Sequence, residues 1–103
     1  MTTGVWFKQR PATNVPYTYQ NAGAATSVRV TAFNGGPYAA RVRIAIGTSS
    51  DAPAATEYDV YDEQIGAGQR LDPPIPPALV DNGKYIVVQS DNGNVIFTAS
   101  GTE

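Results

Sequence analysis

The residues of this chain that come closest to a reactive group are four clustered acids: Glu57, Asp59, Asp62 and Glu63. A pair of carboxylates can hydrolyse glycosides, and a loop of carboxylates can bind Ca²⁺. Glu57 and Asp59 are two residues apart, so in a strand they share one face, which we expect to be solvated. An EF-hand-like calcium loop needs acidic residues at alternating positions around a central glycine, and no such loop occurs in this segment. We expect the acids to lie on a solvated face or to pair across a sheet with Arg29, Arg41 or Arg43.

Other chemistry is limited by what the sequence lacks, because it contains no histidine and no cysteine. Ser-His and Cys-His nucleophile pairs, disulfides, and metal sites built on thiolates or imidazoles are therefore excluded. The segments Gly35-Gly36 and Gly66-Ala67-Gly68 are not followed by Lys-Ser or Lys-Thr, so they do not form a P-loop. We expect no enzymatic activity, no bound metal and no cofactor.

Charge and length narrow the class of partner. A chain of 103 residues is expected to form one domain, and its net charge of −2 does not favour a nucleic acid partner. No apolar run approaches the roughly 18 residues of a membrane helix, and the first residues lack the basic stretch of a signal peptide. We therefore expect a protein made and used without export or membrane insertion. A charged fraction of only 16% suits either an ordinary β-sandwich or a surface built for self-association.

Alternation of apolar and polar residues predicts the elements that position these groups. Residues 26–33 place Val28 and Val30 on one face, and residues 40–46 place Val42 and Ile44 on one face. The turn-forming residues 34–37 lie between these segments, so we expect them to be neighbouring antiparallel strands.

A second pair of segments, residues 84–90 and 94–100, flanks Asp91-Asn92-Gly93. Asn-Gly between β-branched runs predicts a β-hairpin. Shorter strands are predicted at residues 5–9, 17–20, 56–62 and 69–71. The run Pro73–Pro77 cannot complete a hydrogen-bonded ladder, so it is either an edge or a connection that crosses between sheets.

These elements predict an all-β fold, a single antiparallel β-sandwich of six to eight strands that is immunoglobulin-like or jelly-roll-like. Residues 1–24 differ in composition from the rest of the chain, and they form either the first strands or an arm that reaches a neighbouring molecule. Residues 25–103 form the sandwich domain.

The side chains that we expect at an interface are mostly aromatic. Phe33 falls on the outward face of its strand, which marks either a covered edge or an interface. Exposed tyrosines also suit a sugar-binding platform, because flat rings stack on pyranose faces. The interface candidates are Trp6, Phe7, Tyr17, Tyr19, Phe33, Pro74 and Ile75.

A resemblance enters from residue 34 to the C-terminus. Its motifs, in order, are Tyr-Ala-Ala-Arg-Val-Arg-Ile-Ala-Ile at 38–46, Thr-Glu-Tyr-Asp-Val-Tyr-Asp at 56–62, Ile-Gly-Ala-Gly-Gln-Arg-Leu at 65–71, Val-Asp-Asn-Gly-Lys-Tyr-Ile-Val-Val-Gln-Ser at 80–90 and Asn-Val-Ile-Phe at 94–97. This order, over about two thirds of the chain, resembles small β-sandwich virion proteins of tailed bacteriophages. Residues 1–24 lie outside the pattern, and the run Pro73–Pro77 departs from the shorter connection usual there.

The resemblance implies a non-enzymatic virion structural protein, assembled in the cytoplasm of a host bacterium. Capsid decoration or cementing of the head is the first expectation. A tail, baseplate or fibre component with a receptor- or carbohydrate-binding role is the alternative. The implied partners are the major capsid protein or tail proteins, and the implied form is a homo-oligomer such as a trimer.

Overall fold

The computed structural model describes residues 4–72 and 74–102 and contains eight strands. The strands are β1 (Gly4–Gln9), β2 (Tyr17–Gln20), β3 (Thr26–Asn34), β4 (Ala40–Thr48), β5 (Val60–Ile65), β6 (Ala78–Val80), β7 (Tyr85–Ser90) and β8 (Val95–Thr102). One 3₁₀ turn, Ala55–Glu57, precedes β5. The predicted all-β class is confirmed.

The strands form two four-stranded antiparallel sheets. Sheet A has the order β1-β8-β3-β6, and sheet B has the order β2-β7-β4-β5. This is the strand order of a jelly roll, in which two Greek keys close into a sandwich. An immunoglobulin order would place the first two strands side by side, whereas β1 and β2 lie in different sheets. Of the two predicted topologies, the structure has the jelly roll.

Two predicted strand pairings are wrong. β3 and β4 lie in different sheets, and so do β7 and β8, so neither pair forms a hairpin. Each connection instead crosses the end of the sandwich. Alternation identifies the buried face of a strand, but it does not distinguish a neighbour in the same sheet from a strand facing it across the core.

The predicted faces of the strands are confirmed where the alternation is strongest. Val28, Val30 and Ala32 of β3 are buried, and so are Val42 and Ile44 of β4. The predicted strand at 56–62 is displaced, because the 3₁₀ turn occupies its start and β5 begins only at Val60. The predicted strand at 69–71 is reduced to an isolated bridge between Arg70 and Phe33.

The N-terminal segment belongs to the sandwich. β1 pairs with β8 along sheet A, and β2 pairs with β7 along sheet B. Gly4–Gln9 and Tyr17–Gln20 therefore contribute one strand to each sheet. The first three residues lie outside the described residues.

The core lies between the sheets. Phe97 is its largest fully buried side chain, and Trp6 and Phe7 fill the space beside β8. Residues 66–77 lead from β5 in sheet B to β6 in sheet A, so the proline-rich run belongs to a connection between sheets, one of its two predicted forms. Pro73 itself lies outside the described residues.

Candidate functional site

A polar groove lies at one end of the outer face of sheet B, with a volume of about 350 Å³. We call it the sheet B groove. It is lined by residues of β4, β5 and β7 and of two connections: Asn14, Arg41, Arg43, Asp62, Gln89, Ser90 and Asp91.

Arg43 is held in place in this groove by two contacts. Its Nε donates a hydrogen bond of 2.7 Å to Oδ1 of Asp62, and its Nη2 donates one of 3.3 Å to Oδ2. The guanidinium carbon also lies 4.3 Å from the ring centre of Tyr61, a cation–π distance. The hydrogen bond from Arg43 lowers the pKa of Asp62 below its usual value, and the same contact raises the pKa of Arg43. The orientation of the guanidinium plane is therefore set by Asp62 and Tyr61.

The backbone around the groove is unusual at two positions. Asp62 has a φ of +57° and Asn14 has a φ of +60°, and they are the non-glycine residues with positive φ in the described part of the chain. Asp62 is the extra residue of a β-bulge, since Val42 pairs with Glu63 while Arg43 pairs with Tyr61. Asp and Asn are the residue types that best tolerate this conformation. Both positive-φ residues line the same groove.

Hydrogen bonds that involve the backbone connect the walls of the groove. Asp91 accepts a 2.8 Å bond from the backbone N–H of Arg41 through Oδ1, and its own N–H donates to the Arg41 carbonyl at 3.1 Å. On the other side, Nε2 of Gln89 donates to the Asn14 carbonyl at 3.3 Å, and the Asn14 N–H donates to Ser90 at 2.8 Å. Three segments distant in sequence are thereby fixed around one opening.

The fold divides the predicted acids, since Asp62 lines the sheet B groove whereas Asp59 and Glu63 line another groove beside β5. The expectation that Glu57 and Asp59 share a strand face is wrong, because Glu57 belongs to the 3₁₀ turn. Asp59 accepts a 2.9 Å bond from the N–H of Ile46 through Oδ2. The expected pairing of an acid with an arginine is confirmed for Asp62 and Arg43. Within residues 4–72 and 74–102, no group of three or more acids is placed to hold a metal ion.

Four of the seven interface candidates pack inside the molecule. Trp6 and Phe7 are 9% and 5% exposed and belong to the core. Tyr17 and Tyr19 are half-buried against it; Phe7 lies 5.0 Å from Tyr17, and Trp6 lies 5.4 Å from Tyr19, between ring centres. These aromatic rings fill the space between the sheets near β1 and β2, so most of their area is not open to a partner.

The other three candidates lie closer to the surface. Phe33 is half-buried on the outer face of sheet A, with the Arg70 guanidinium 5.6 Å from its ring centre. Pro74 is exposed, and Ile75 is half-buried against the core. Both line a second groove of about 320 Å³, between β5 and the proline-rich connection, with Tyr61 on its rim. Whether these three meet a partner stays a prediction.

Sequence reasoning missed most of the sheet B groove. The outward placement of Arg41 and Arg43 followed from alternation, but Asn14, Gln89 and Asp91 come from segments that the fold alone brings together. Of these three residues, only Asp91 belonged to a motif in the sequence, and the predicted turn at 91–93 was sufficient to account for that motif.

Comparisons with models of protein families, with curated proteins and with solved structures gave no match to this chain. Among the described residues, no helix is long and apolar enough to cross a bilayer, because the one helical segment is the 3₁₀ turn of three residues.

Proposed function

We propose that the chain is a non-enzymatic structural domain that forms homo-oligomers and packs its outer surfaces against other proteins of an assembly. The observation that carries the proposal is the separation of unpaired charges onto two different surfaces. Among the described residues, Arg43–Asp62 is the one ion pair, so the remaining charges stay available to a partner.

The first surface is the outer face of sheet A, called here the sheet A face. The strand register aligns its outward rows: Val5, Ser100 and Arg29; Lys8, Thr98 and Thr31; Phe33 and Ile96; Ser27 and Leu79. None of these described outward residues is acidic. Val5 and Leu79 are 67% and 62% exposed, which adds apolar area to a face that carries Lys8, Arg29 and, over Phe33, Arg70. Such a face suits docking, because interface cores are poor in acidic residues.

The second surface is the acidic edge, formed by Asp59 and Glu63, which line one groove at the edge strand β5, and by Glu57 in the 3₁₀ turn that precedes this strand. All three are exposed, and none has a cationic partner within the described residues. Two complementary surfaces at different places on one chain favour head-to-tail contacts between copies, which close into a ring or extend as a filament.

Charge reversal tests this contact. We expect Lys8→Glu with Arg29→Glu to weaken self-association, and Glu57→Lys with Glu63→Lys to do the same. An equimolar mixture of the two variant chains restores association, because every alternating contact then joins opposite charges. Sedimentation velocity over a range of concentrations measures each case.

The matched control is Asp51→Lys with Asp81→Lys, which raises the net charge by as much as Glu57→Lys with Glu63→Lys does, at exposed acids that belong to neither surface. A wild-type chain that stays monomeric at every concentration would refute homo-oligomer formation. Equal weakening by the control, or no recovery on mixing, would refute the paired surfaces.

The assembly that we propose is the virion of a tailed phage, on the motif resemblance over residues 38–97 together with the small β-sandwich fold. Our first proposal is that the chain decorates the capsid, where it binds the major capsid protein and stabilises the head. Quantitative mass spectrometry of purified particles tests it: hundreds of copies per particle indicate the capsid, and a few copies indicate the tail. Absence from particles would refute both locations.

The cementing role has its own measurement. Particles that lack the protein should burst at a lower temperature than complete particles, because the apolar area buried across joints between capsid subunits is lost. Unchanged bursting would leave decoration without a stabilising role.

The alternative is a tail, baseplate or fibre component with a receptor- or carbohydrate-binding role. One observation favours it, namely the sheet B groove with its fixed guanidinium and dense polar lining.

A further inference from the structure

The sheet B groove has features of a ligand site that the assembly proposal does not use. Its two positive-φ residues, Asn14 and Asp62, come from different parts of the chain and converge on one opening. Backbone strain of this kind persists where the surrounding structure enforces it, and it concentrates at binding sites. Here the enforcing contacts are the bulge in β5 and the hydrogen bonds between Asn14 and β7.

The charges that line the groove balance. Arg41 and Arg43 face Asp62 and Asp91, so the formal charge of the lining is zero. Arg43 and Asp62 are already paired at 2.7 Å. Among the described residues, the Arg41 guanidinium makes one hydrogen bond, from Nη1 to the Asp62 carbonyl at 3.2 Å, and its other donors have no partner there.

Acceptors lie opposite these donors. Within residues 4–72 and 74–102, the Asp91 side chain bonds through Oδ1 alone, to the Arg41 N–H, and the Gln89 side chain through Nε2 alone, to Asn14. Oδ2 of Asp91 and Oε1 of Gln89 are therefore open to a ligand. The groove presents a fixed mixture of donors and acceptors with no net charge.

We propose that the sheet B groove binds a neutral sugar ring. Each sugar hydroxyl both donates and accepts, so neighbouring hydroxyls can satisfy the Arg41 fork and the Asp91 carboxylate together. A phosphate or sulfate would meet two carboxylates, and an apolar ligand would leave the polar lining unpaired. The volume of about 350 Å³ falls within the range of small-ligand sites.

This inference gives the alternative role a site and a ligand class, and it holds whether or not the chain self-associates. Tyr61 supports the site indirectly, since its ring lies under the Arg43 guanidinium and holds it in place. Sugar binding and oligomeric state are separate readouts, so a failure of one is distinguishable from a failure of the other.

Nuclear magnetic resonance titration of the ¹⁵N-labelled full chain tests the proposal. The probes are glucose, galactose, mannose and N-acetylglucosamine, each added separately, with inorganic phosphate as a further probe. We expect at least one sugar to shift the backbone amides of residues 14, 41, 43, 62, 89 and 91 saturably. We expect Arg41→Ala and Gln89→Ala each to weaken that binding at least tenfold, about 1.4 kcal/mol.

Two further variants separate the roles of charge and shape. Arg29→Ala removes an exposed arginine from the sheet A face, and we expect sugar binding to be unchanged. Arg41→Lys keeps the charge but removes the planar fork, and we expect it to weaken binding as Arg41→Ala does. A dispersed spectrum shows that each variant is folded.

Several results would overturn the proposal: no saturable shift with any of the four sugars, a response to phosphate alone, or equal weakening by Arg29→Ala. Wild-type affinity in both Arg41→Ala and Gln89→Ala would also overturn it.

Discussion

Asp62 combines a strained backbone with a charged contact at one position. Its φ of +57° places it in the left-handed region, and its carboxylate accepts both bonds from Arg43. An aspartate can adopt this conformation at lower cost than most residues, and it also supplies the charge. Asparagine shares the backbone tolerance, so Asp62→Asn removes the charge and leaves the bulge in place.

The lowered pKa of Asp62 predicts a pH dependence of stability. A folded-state pKa below the unfolded value of about 3.9 stabilises the fold above that pH, and the contribution is lost as the pH falls through the folded value. We expect the difference in unfolding free energy between wild type and Asp62→Asn to be positive near neutral pH and to vanish in acid. Urea unfolding at a series of pH values measures it.

The control for this series is Asp51→Asn, at an exposed acid whose side chain has no ion-pair partner among the described residues. A pH-dependent difference as large for Asp51→Asn as for Asp62→Asn would show that the effect does not come from the Arg43 contact. Parallel curves for wild type and Asp62→Asn would contradict the prediction.

At the scale of elements, two buried asparagines join the sheets at the points where the chain crosses between them. Asn34, the last residue of β3, donates through Nδ2 to the Ile65 carbonyl at 3.1 Å, at the end of β5. Asn21, directly after β2, donates through Nδ2 to the Val80 carbonyl at 2.9 Å, at the end of β6. Each also accepts a bond through Oδ1 from the N–H two residues further on. The same pattern of asparagine hydrogen bonds thus stabilises two of the connections between the sheets.

Loss of either asparagine leaves buried backbone groups unpaired. We expect Asn21→Ala and Asn34→Ala each to lower the free energy of unfolding by about 2 kcal/mol, because each unpaired buried group costs about 1–3 kcal/mol. Chemical denaturation measures the change. Asn82→Ala, which removes an exposed bond of 2.8 Å to the Gly23 carbonyl, is the control and should cost less than about 1 kcal/mol.

An effect of Asn34→Ala no larger than that of Asn82→Ala would contradict this role. Asn34→Asp separates shape from donors, since it keeps the acceptor but removes both N–H groups. It should destabilise the chain as much as the alanine variant does.

The packing of β1 on β8 depends on Gly101. A Cβ at this position would lie 2.5 Å from Nε1 of Trp6 and 3.0 Å from Cγ2 of Thr26. We expect Gly101→Ala to destabilise the fold by about 1–3 kcal/mol, because the indole must shift within a packed core. Thermal or chemical unfolding measures the loss.

A double-mutant cycle with Trp6→Phe identifies the cause. The smaller ring makes room for the added methyl, so the alanine should cost less in the Trp6→Phe background than in wild type. Additive effects of the two substitutions would show that the indole is not what the methyl meets.

At the scale of the whole molecule, the first and last strands are neighbours. Gly4 pairs with Gly101 and Gln9 pairs with Phe97, so β1 is the edge strand of sheet A beside β8. A short β2 does the same in sheet B through β7. β1 and β2 are thus part of the sandwich, and their aromatic side chains belong to the core or pack against it.

Deletion of residues 1–24 should therefore abolish folding. The deletion removes two strands and the Trp6 and Phe7 side chains, and each large aromatic is worth about 3–5 kcal/mol against a total stability of about 5–15 kcal/mol. We expect a collapsed nuclear magnetic resonance spectrum and no cooperative thermal transition. A folded, dispersed spectrum from the truncated chain would show instead that this segment is a dispensable arm.

Part of the candidate site was predictable from the sequence. Alternation placed Arg41 and Arg43 outward and allowed an acid to meet one of them across the sheet, and Asp62 does so. Asn14 and Gln89 carry no such signal, because their positions depend on a connection that folds back over β7. A local sequence pattern predicts whether a side chain is buried or exposed. It does not predict a groove, because the segments that line a groove meet only in the folded chain.

By itself, the sequence determined the all-β class, the buried side of β3 and β4, and the absence of histidine and cysteine chemistry. These follow from residue type and from a period of two, which act over a few neighbouring residues. Only the tertiary structure decided which strands are neighbours, sending β3 and β4, and β7 and β8, into opposite sheets. Both arrangements bury the same apolar faces, so the choice depends on contacts between distant segments, such as the bond from Asn34 to Ile65.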